Sequence, residues 1–208
     1  MLNDKGNDLF KILLRINQCL KSPLLLRSKE PLFIMNKTDI ISAMKVQPTI
    51  DPASEINTRV NFIKRKLVNA GLRHLILGIS GGIDSTTCAR LAQLAVNELN
   101  QVSGMQDYQF IAVRLPYETQ KDEADAQLAL DFIQPSQRVT VNIKPGADGI
   151  HGEVIKAFTS AGLTLPDDTV KDFAKGNVKA RSRMACQYDI AALVGGLVLG
   201  TDLSLIHI

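Results

Sequence analysis

A three-layer α/β sandwich built on a parallel sheet is the fold class this sequence predicts, and three observations predict it. Short apolar runs alternate with helical patterns from residue 51 onward, as they do where a parallel sheet is covered on both faces. One such run, Leu75 to Leu77, passes through a glycine loop straight into a helical pattern. No internal repeat or low-complexity linker interrupts the alternation, so one domain accounts for the body of the chain.

Taken in order, Asp51-Pro52 supplies an N-cap and a first-turn proline, and Ile56, Val60, Ile63 and Leu67 recur at helical spacing until Gly71 ends the pattern. The strand at Leu75 to Leu77 follows, and behind the loop Cys88, Leu91, Ala92, Ala95 and Leu99 mark the next helix. A strand is then predicted over 109–115, a helix over 122–133, a strand over 138–143 and a helix over 152–161. A last helix is predicted from Asn177 to about Val194, with Asn177 placed to cap it, and a last strand over 197–200. Ligands of such sheets bind beyond the carboxyl ends of the strands. That rule gathers the Ser80 to Ser85 loop, the strand end at Arg114-Leu115-Pro116-Tyr117 and the strand end at Gly200-Thr201-Asp202.

The loop itself reads Gly78-Ile79-Ser80-Gly81-Gly82-Ile83-Asp84-Ser85. Adjacent glycines let the backbone turn tightly and approach a ligand, so that successive N–H groups can point at one anion. Ser80 and Ser85 add hydroxyls, and the following helix adds the positive end of its dipole. Phosphate is the natural occupant. Neither G-x-G-x-x-G nor G-K-[ST] occurs here, which excludes the Rossmann fingerprint and the Walker loop. A carboxylate, Asp84, stands beside the anion site instead, and it would repel phosphate unless a cation intervened; magnesium is the expected cation. The plainer alternative is a glycine turn capped by Ser80 or Asp84 with no ligand.

The net charge of +3 is concentrated at the start: Met1 to Ile34 carries six Lys or Arg against three Asp or Glu, leaving eighteen of each in the rest. A neutral body gives no electrostatic footing for nucleic acid, and no nucleic-acid partner is expected. Cys19, Cys88 and Cys186 are scattered without a C-x-x-C, as expected of a reducing cytoplasm rather than a disulfide framework or zinc site. His74, His151 and His207 stand apart from other ligand types and are assigned no chemistry. No apolar run approaches the roughly 18 residues that cross a bilayer, so no membrane association is expected. Residues 1–34 make a poor signal peptide. They read equally as an upstream extension of the reading frame, with Met35 as the start, and as an amphipathic helix.

The S-G-G-x-D-S loop resembles that of the PP-loop ATP pyrophosphatases, whose adenine nucleotide alpha hydrolase-like fold the resemblance implies. Within them the chain resembles the ammonia-dependent NAD synthetases. The match lies in Leu77-Gly78-Ile79-Ser80-Gly81-Gly82, Phe110-Ile111-Ala112-Val113-Arg114-Leu115-Pro116-Tyr117, Gly176-Asn177-Val178-Lys179-Ala180-Arg181 and Val198-Leu199-Gly200-Thr201. It extends from about Met35 to Asp202 in the family's order and spacing, so 35–202 is expected to be the synthetase domain.

The resemblance implies a cytoplasmic, homodimeric ligase that uses ATP and Mg2+ to amidate deamido-NAD with ammonia, releasing AMP and pyrophosphate. Carried over by position, Gly78, Ile79, Ser80, Gly81, Gly82, Ile83, Asp84 and Ser85 form the ATP loop. Ser80, Ser85 and Asp84 take the catalytic part, and Asp84 holds the metal. Arg114 and Thr201 contact ATP, with Gln120 a further candidate, while Asn177 and Arg181 bind deamido-NAD. Arg114 has a second reading as a surface cation on a strand end, but its place at the crevice favours the ATP contact. Lys179 and Arg183 read as solvated helix charges, and Met184 and Tyr188 as packing or interface residues. The stretch before the loop is short for a glutaminase domain, which favours free ammonia as the nitrogen source.

The chain departs from the family after Asp202, where a metal-binding glutamate and a lysine-containing mobile segment are expected. Residues 203–208, Leu-Ser-Leu-Ile-His-Ile, are what one frame of the transposase adaptor CTGTCTCTTATACACATC encodes, and a non-native tail on a truncated synthetase is the expectation. A natural short ending and a frameshift remain alternatives. So do a non-catalytic ATP-binding fragment and other users of the same loop, the GMP-synthetase-type and RNA-thiolating enzymes.

Overall fold

The computed structural model describes residues 36–43, 49–118 and 123–201. The chain divides into two units, Met1–Ile50 and Asp51–Ile208. In the first, helix α1 (Lys37–Ala43) buries none of its residues. Its start is closed reciprocally: Asp39 N–H donates to Asn36 Oδ1 at 3.0 Å and Asn36 N–H to Asp39 Oδ2 at 3.2 Å.

In the second unit the order is α2 (Pro52–Asn69), β1 (His74–Gly78), α3 (Ile83–Ser103), β2 (Gln109–Arg114), α4 (Glu123–Ile133), β3 (Gln137–Thr140), α5 (Lys144–Ser160), α6 (Asp168–Val194) and β4 (Gly196–Val198). All strand pairings are parallel, in the order β3-β2-β1-β4. The chain lays strands in one direction from β1 to β3 and returns to place β4 on the other side of β1. The topological switch point, where such sheets open a crevice, therefore falls between β1 and β4.

Strand side chains alternate between faces, and here both faces are apolar. Leu75, Leu77, Phe110 and Ala112 pack with Val60, Ile63 and Leu67 of α2, Ala89, Ala92 and Val96 of α3, and Leu130 and Ile133 of α4. Ile76, Ile111 and Val113 face the other way, toward Ile143 at the start of α5 and Ala191 of α6. The predicted three-layer sandwich is therefore the observed one. Alanines on the inner face of α3 let it lie close to the sheet, and Gly196 does the same for β4, since a Cβ there would fall 2.2 Å from Ile76 Cδ1.

Besides β4, which runs Gly196–Val198 rather than over 197–200, three boundaries differ from the expectation. Helix α6 begins at Asp168, not at Asn177: Asp167 is its N-cap, accepting from Val170 N–H at 2.9 Å, and Asn177 lies inside the helix, its side-chain amide donating to Phe173 O at 3.3 Å. Helix α5 begins at Lys144-Pro145 rather than Gly152, because a proline in the first turn suits a helix start and outweighs the glycines that follow. Strand β3 is shorter than 138–143, although its ladder continues as Val141 N–H to Arg114 O and Ile143 N–H to Pro116 O, both 2.9 Å.

Candidate active site

Strand β1 ends at Gly78 and the chain enters the loop still tied to β2, with Ile79 N–H donating to Val113 O at 2.8 Å. Gly81 then takes φ +88°, a conformation glycine adopts without strain, and a Cβ there would stand 3.1 Å from the backbone N of Ala126 on α4. The N-cap of α3 is Gly82, with no side-chain cap bond: neither Ser80 nor Asp84 caps the helix, although Ser80 closes the turn before it. Asp84 is exposed in the first turn of α3.

The two serines fold the loop from within. Ser85 is buried, and its hydroxyl donates to Gly82 O at 3.1 Å, which leaves Ser80 Oγ to donate to Ser85 Oγ at 3.0 Å. Ser80 Oγ in turn accepts from Gly82 N–H at 3.2 Å, and Thr86 Oγ1 donates to Gly82 O at 2.8 Å. Both serine protons are thus used inside the loop. The N-terminus of a 21-residue helix, uncapped by any side chain, is left facing the crevice as an anion-binding end.

Thr201 comes to the same edge because β4 runs beside β1, with Leu199 N–H donating to Ile76 O at 2.8 Å. Arg114 closes β2, but as a buried residue, 3% exposed, whose Nη2 pairs with Glu123 Oε2 of α4 at 2.7 Å. It is not a surface cation. Gln120 and Asp202 lie outside the described residues, as do residues 1–34, 203–208, Cys19 and His207.

Helix α6 crosses the carboxyl ends of β1 and β2. Arg183, expected to be solvated, donates from Nε to Leu115 O at 3.0 Å, because the helix lies directly on that strand end. Gln187, one turn on, accepts at Oε1 from Gly78 N–H at 2.7 Å. Neither residue was singled out by sequence reasoning as a contact to the sheet. The available signal was Arg183, Gln187 and buried Ala191 recurring at four-residue spacing on one helix face. Asn177 is half-buried and Arg181 exposed on the same helix, while Met184 and Tyr188 are exposed and pack no core of this chain.

A second polar cluster joins α5 to α6 beside Tyr117. The Tyr117 hydroxyl donates to Asp148 Oδ1 at 2.5 Å, and Asp148 also receives Lys144 Nζ and Lys175 Nζ, each at 2.8 Å. Hydrogen bonds from Lys144 first, then Lys175 and Tyr117, hold the Asp148 carboxyl well below the usual carboxylate range, and Asp148 pushes the Lys175 ammonium up. Lys179, also expected to be solvated, lies 4.2 Å from the Tyr117 ring centroid and is half-buried there.

Among the described residues, no group of three or more His, Cys, Asp or Glu side chains could hold a metal, and no helix is long and apolar enough to cross a membrane. An exposed carboxylate beside a candidate anion-binding helix end nevertheless suits magnesium, which is commonly held by one or two carboxylates together with a substrate's own phosphates.

A parallel sheet with helices on both faces, a Ser-Gly-Gly-x-Asp-Ser loop at the switch point and a side-chain-uncapped helix behind it define an α/β protein of the PP-loop class. Comparisons with known proteins narrow this. Residues 55–205 match the family model for NAD synthase, and the chain belongs to that family. It is 64% identical over 160 residues to an NH3-dependent NAD+ synthetase of Vibrio vulnificus strain YJ016, a match covering 76% of this chain and 58% of the relative. An NH3-dependent NAD+ synthetase of Pseudoalteromonas translucida is 58% identical over 166 residues, covering 80% of this chain and 60% of the relative. The crystal structure of an NAD+ synthetase from Burkholderia pseudomallei superposes with a TM-score of 0.69 at 45% identity, covering 78% of this chain and 67% of that one. The chain thus spans about three-fifths of the length of the curated relatives it matches.

Proposed function

We propose that this chain carries the ATP-binding part of an enzyme that amidates deamido-NAD with ammonia. The observation that carries the reading is the loop at the β1/β4 switch point: an anion-binding helix end, exposed Asp84 and a glycine whose φ of +88° shapes the turn. The 64% identity to an NH3-dependent NAD+ synthetase favours this substrate, with ammonia as nitrogen source, over GMP-synthetase-type or RNA-thiolating use of the same loop. The synthetase domain is assigned to 35–202, acting as a cytoplasmic ligase where ATP is available.

A carboxylate at neutral pH is a poor electrophile, and adenylation makes one of its oxygens a leaving group. The substrate carboxylate attacks the α-phosphorus of ATP and pyrophosphate departs; ammonia then adds to the acyl carbon, loses a proton, and AMP leaves with the carboxylate oxygen. The loop N–H groups of Gly81 and Gly82, with Ser80 and Ser85, would receive the departing pyrophosphate by exchanging for it the internal bonds that Gly82 N–H and the two hydroxyls make in the ligand-free loop, and Arg114, Gln120 and Thr201 would receive the rest of ATP. Asn177 and Arg181 would take deamido-NAD. Bound through Asp84 and the phosphates, Mg2+ would supply Lewis acidity. A helix terminus contributes at most about 2 kcal/mol toward such an anion, so the metal that Asp84 would hold, rather than the dipole, would supply much of the charge stabilisation.

The exposed apolar side chains Phe173, Met184 and Tyr188 on α6, together with the apolar groove that Val154, Phe158 and Val170 line between α5 and α6, support a homodimer formed through this layer.

Pyrophosphate release by the 208-residue chain, with ATP, magnesium, ammonium and deamido-NAD each omitted in turn, tests the reading. Sustained release is expected to require all four, with no more than a single turnover when ammonium alone is omitted because pyrophosphate departs before ammonia adds, and to vanish in Asp84→Ala at saturating ATP. Release without deamido-NAD overturns the substrate, and near-normal turnover in the variant overturns the metal ligand.

A further inference from the structure

We infer that Gln187 is a positioning residue: its side-chain amide replaces a strand carbonyl where β1 and β4 part, and so fixes the phosphate loop to the helix that carries Asn177 and Arg181. The strand register carries this. Ile76 faces β4, since its carbonyl accepts from Leu199 N–H at 2.8 Å. Two residues on, Gly78 turns its N–H to the same side, where a continued ladder would next offer the Leu199 carbonyl. Strand β4 ends at Val198, however, and Gly78 N–H donates to Gln187 Oε1 at 2.7 Å instead.

The fit is close on every side. A Cβ on Gly78 would stand 3.1 Å from Cδ, Oε1 and Nε2 of Gln187, so the glycine is what lets the amide reach the strand. The amide is oriented by its other end, Nε2 donating to Arg183 O at 3.3 Å, and Arg183 itself is tied to Leu115 O at the end of β2. By supplying the missing acceptor, Gln187 lets the two strands diverge into the crevice between Ser80 and Thr201 without orphaning a half-buried N–H. It also sets a distance. Arg181 lies six residues back along α6, about 9 Å in axial rise, so the tether fixes how far that guanidinium stands from the loop. The identities of the ligands at the two ends rest on the function proposed above.

The test is amide hydrogen exchange on the ligand-free 208-residue chain, comparing wild type with Gln187→Met, which keeps length but loses the acceptor, and Gln187→Glu, which keeps an acceptor oxygen. Loss of one such bond should speed exchange at Gly78 about tenfold in Gln187→Met, with Leu75 to Leu77 still protected as in wild type, and Gln187→Glu should restore it. Magnesium-ATP should bind Gln187→Met about tenfold more weakly. Unchanged exchange at Gly78, or equal deprotection across the whole of β1, overturns the proposal. If Gln187→Met does not fold, Gly78→Ala and the double variant Gly78→Ala/Gln187→Ala decide: the tether requires the second change to relieve the first, and simple additivity overturns it. A wild type that fails to bind magnesium-ATP overturns the proposed function and leaves the exchange result at Gly78 standing.

Discussion

Gly81→Ala separates two costs that usually arrive together. At φ +88° an L side chain is strained by about 1–2 kcal/mol. The new Cβ would also meet backbone of the first turn of α4, 3.1 Å from Ala126 N and 3.3 Å from Asp125 C, and such overpacking adds about 1–2 kcal/mol because backbone cannot step aside as a flexible side chain can. Gly71→Ala is the control. Its φ is +67° but nothing lies within 4 Å of the added atom, and it sits at the opposite, amino end of β1. At about 3 °C per kcal/mol for a domain of this size, Gly81→Ala is expected to lower the melting temperature by about 9 °C and Gly71→Ala by about 4 °C. The displaced turn carries Glu123, the partner of Arg114, so magnesium-ATP affinity measured by calorimetry should fall at least tenfold in Gly81→Ala and stay at the wild-type value in Gly71→Ala. Equal melting temperatures and equal affinities in the two variants would refute the argument that loop and helix are in contact through this glycine.

The Asp148 cluster predicts a pH signature. Because the Asp148 pKa is depressed, its contribution to stability is present above the unfolded value of about 4 and lost as pH falls further; because the Lys175 pKa is raised, its contribution is present below about pH 10 and lost as pH rises further. The melting-temperature difference between wild type and Asp148→Asn should therefore be flat between about pH 5 and 9 and shrink outside that window, and a difference independent of pH would contradict the assignment. Phe173→Glu places a charge on the exposed apolar face of α6, and sedimentation should show a dimeric wild type and a monomeric variant; two dimers would move the interface elsewhere.

Much of the fold could be read from residues because its signals are local. Asp51-Pro52 caps α2, with Asp51 Oδ1 accepting from Ala53 N–H at 3.2 Å, and of the expected stripe Val60, Ile63 and Leu67 are buried while Ile56, in the second turn, is exposed. The glycine loop likewise lies where a strand must turn into a helix. Helix α6 was hidden for the opposite reason. Only Ala191 of its 27 residues is buried, so apolar periodicity, the main cue for a helix, is nearly absent, and Asn177 competes with Asp167 as the apparent cap. Helix α5 was masked by glycines at 146, 149 and 152, which lower helix propensity yet are tolerated where packing decides.

Residue type and spacing were enough for the parallel sandwich, the glycine loop between β1 and α3, and the family, since each depends on contacts within a few residues or on a motif carried intact along the chain. The partners were not. That Arg114 is buried against Glu123, that Arg183 and Gln187 reach from α6 to the ends of β2 and β1, and that three lysines gather around Tyr117 all depend on where helices land after long excursions of chain. Gly78 and Gln187 are 109 residues apart. No local propensity encodes such a pair; it arises when burying both apolar faces of one sheet brings β4 back beside β1 and lays α6 across the edge where they separate.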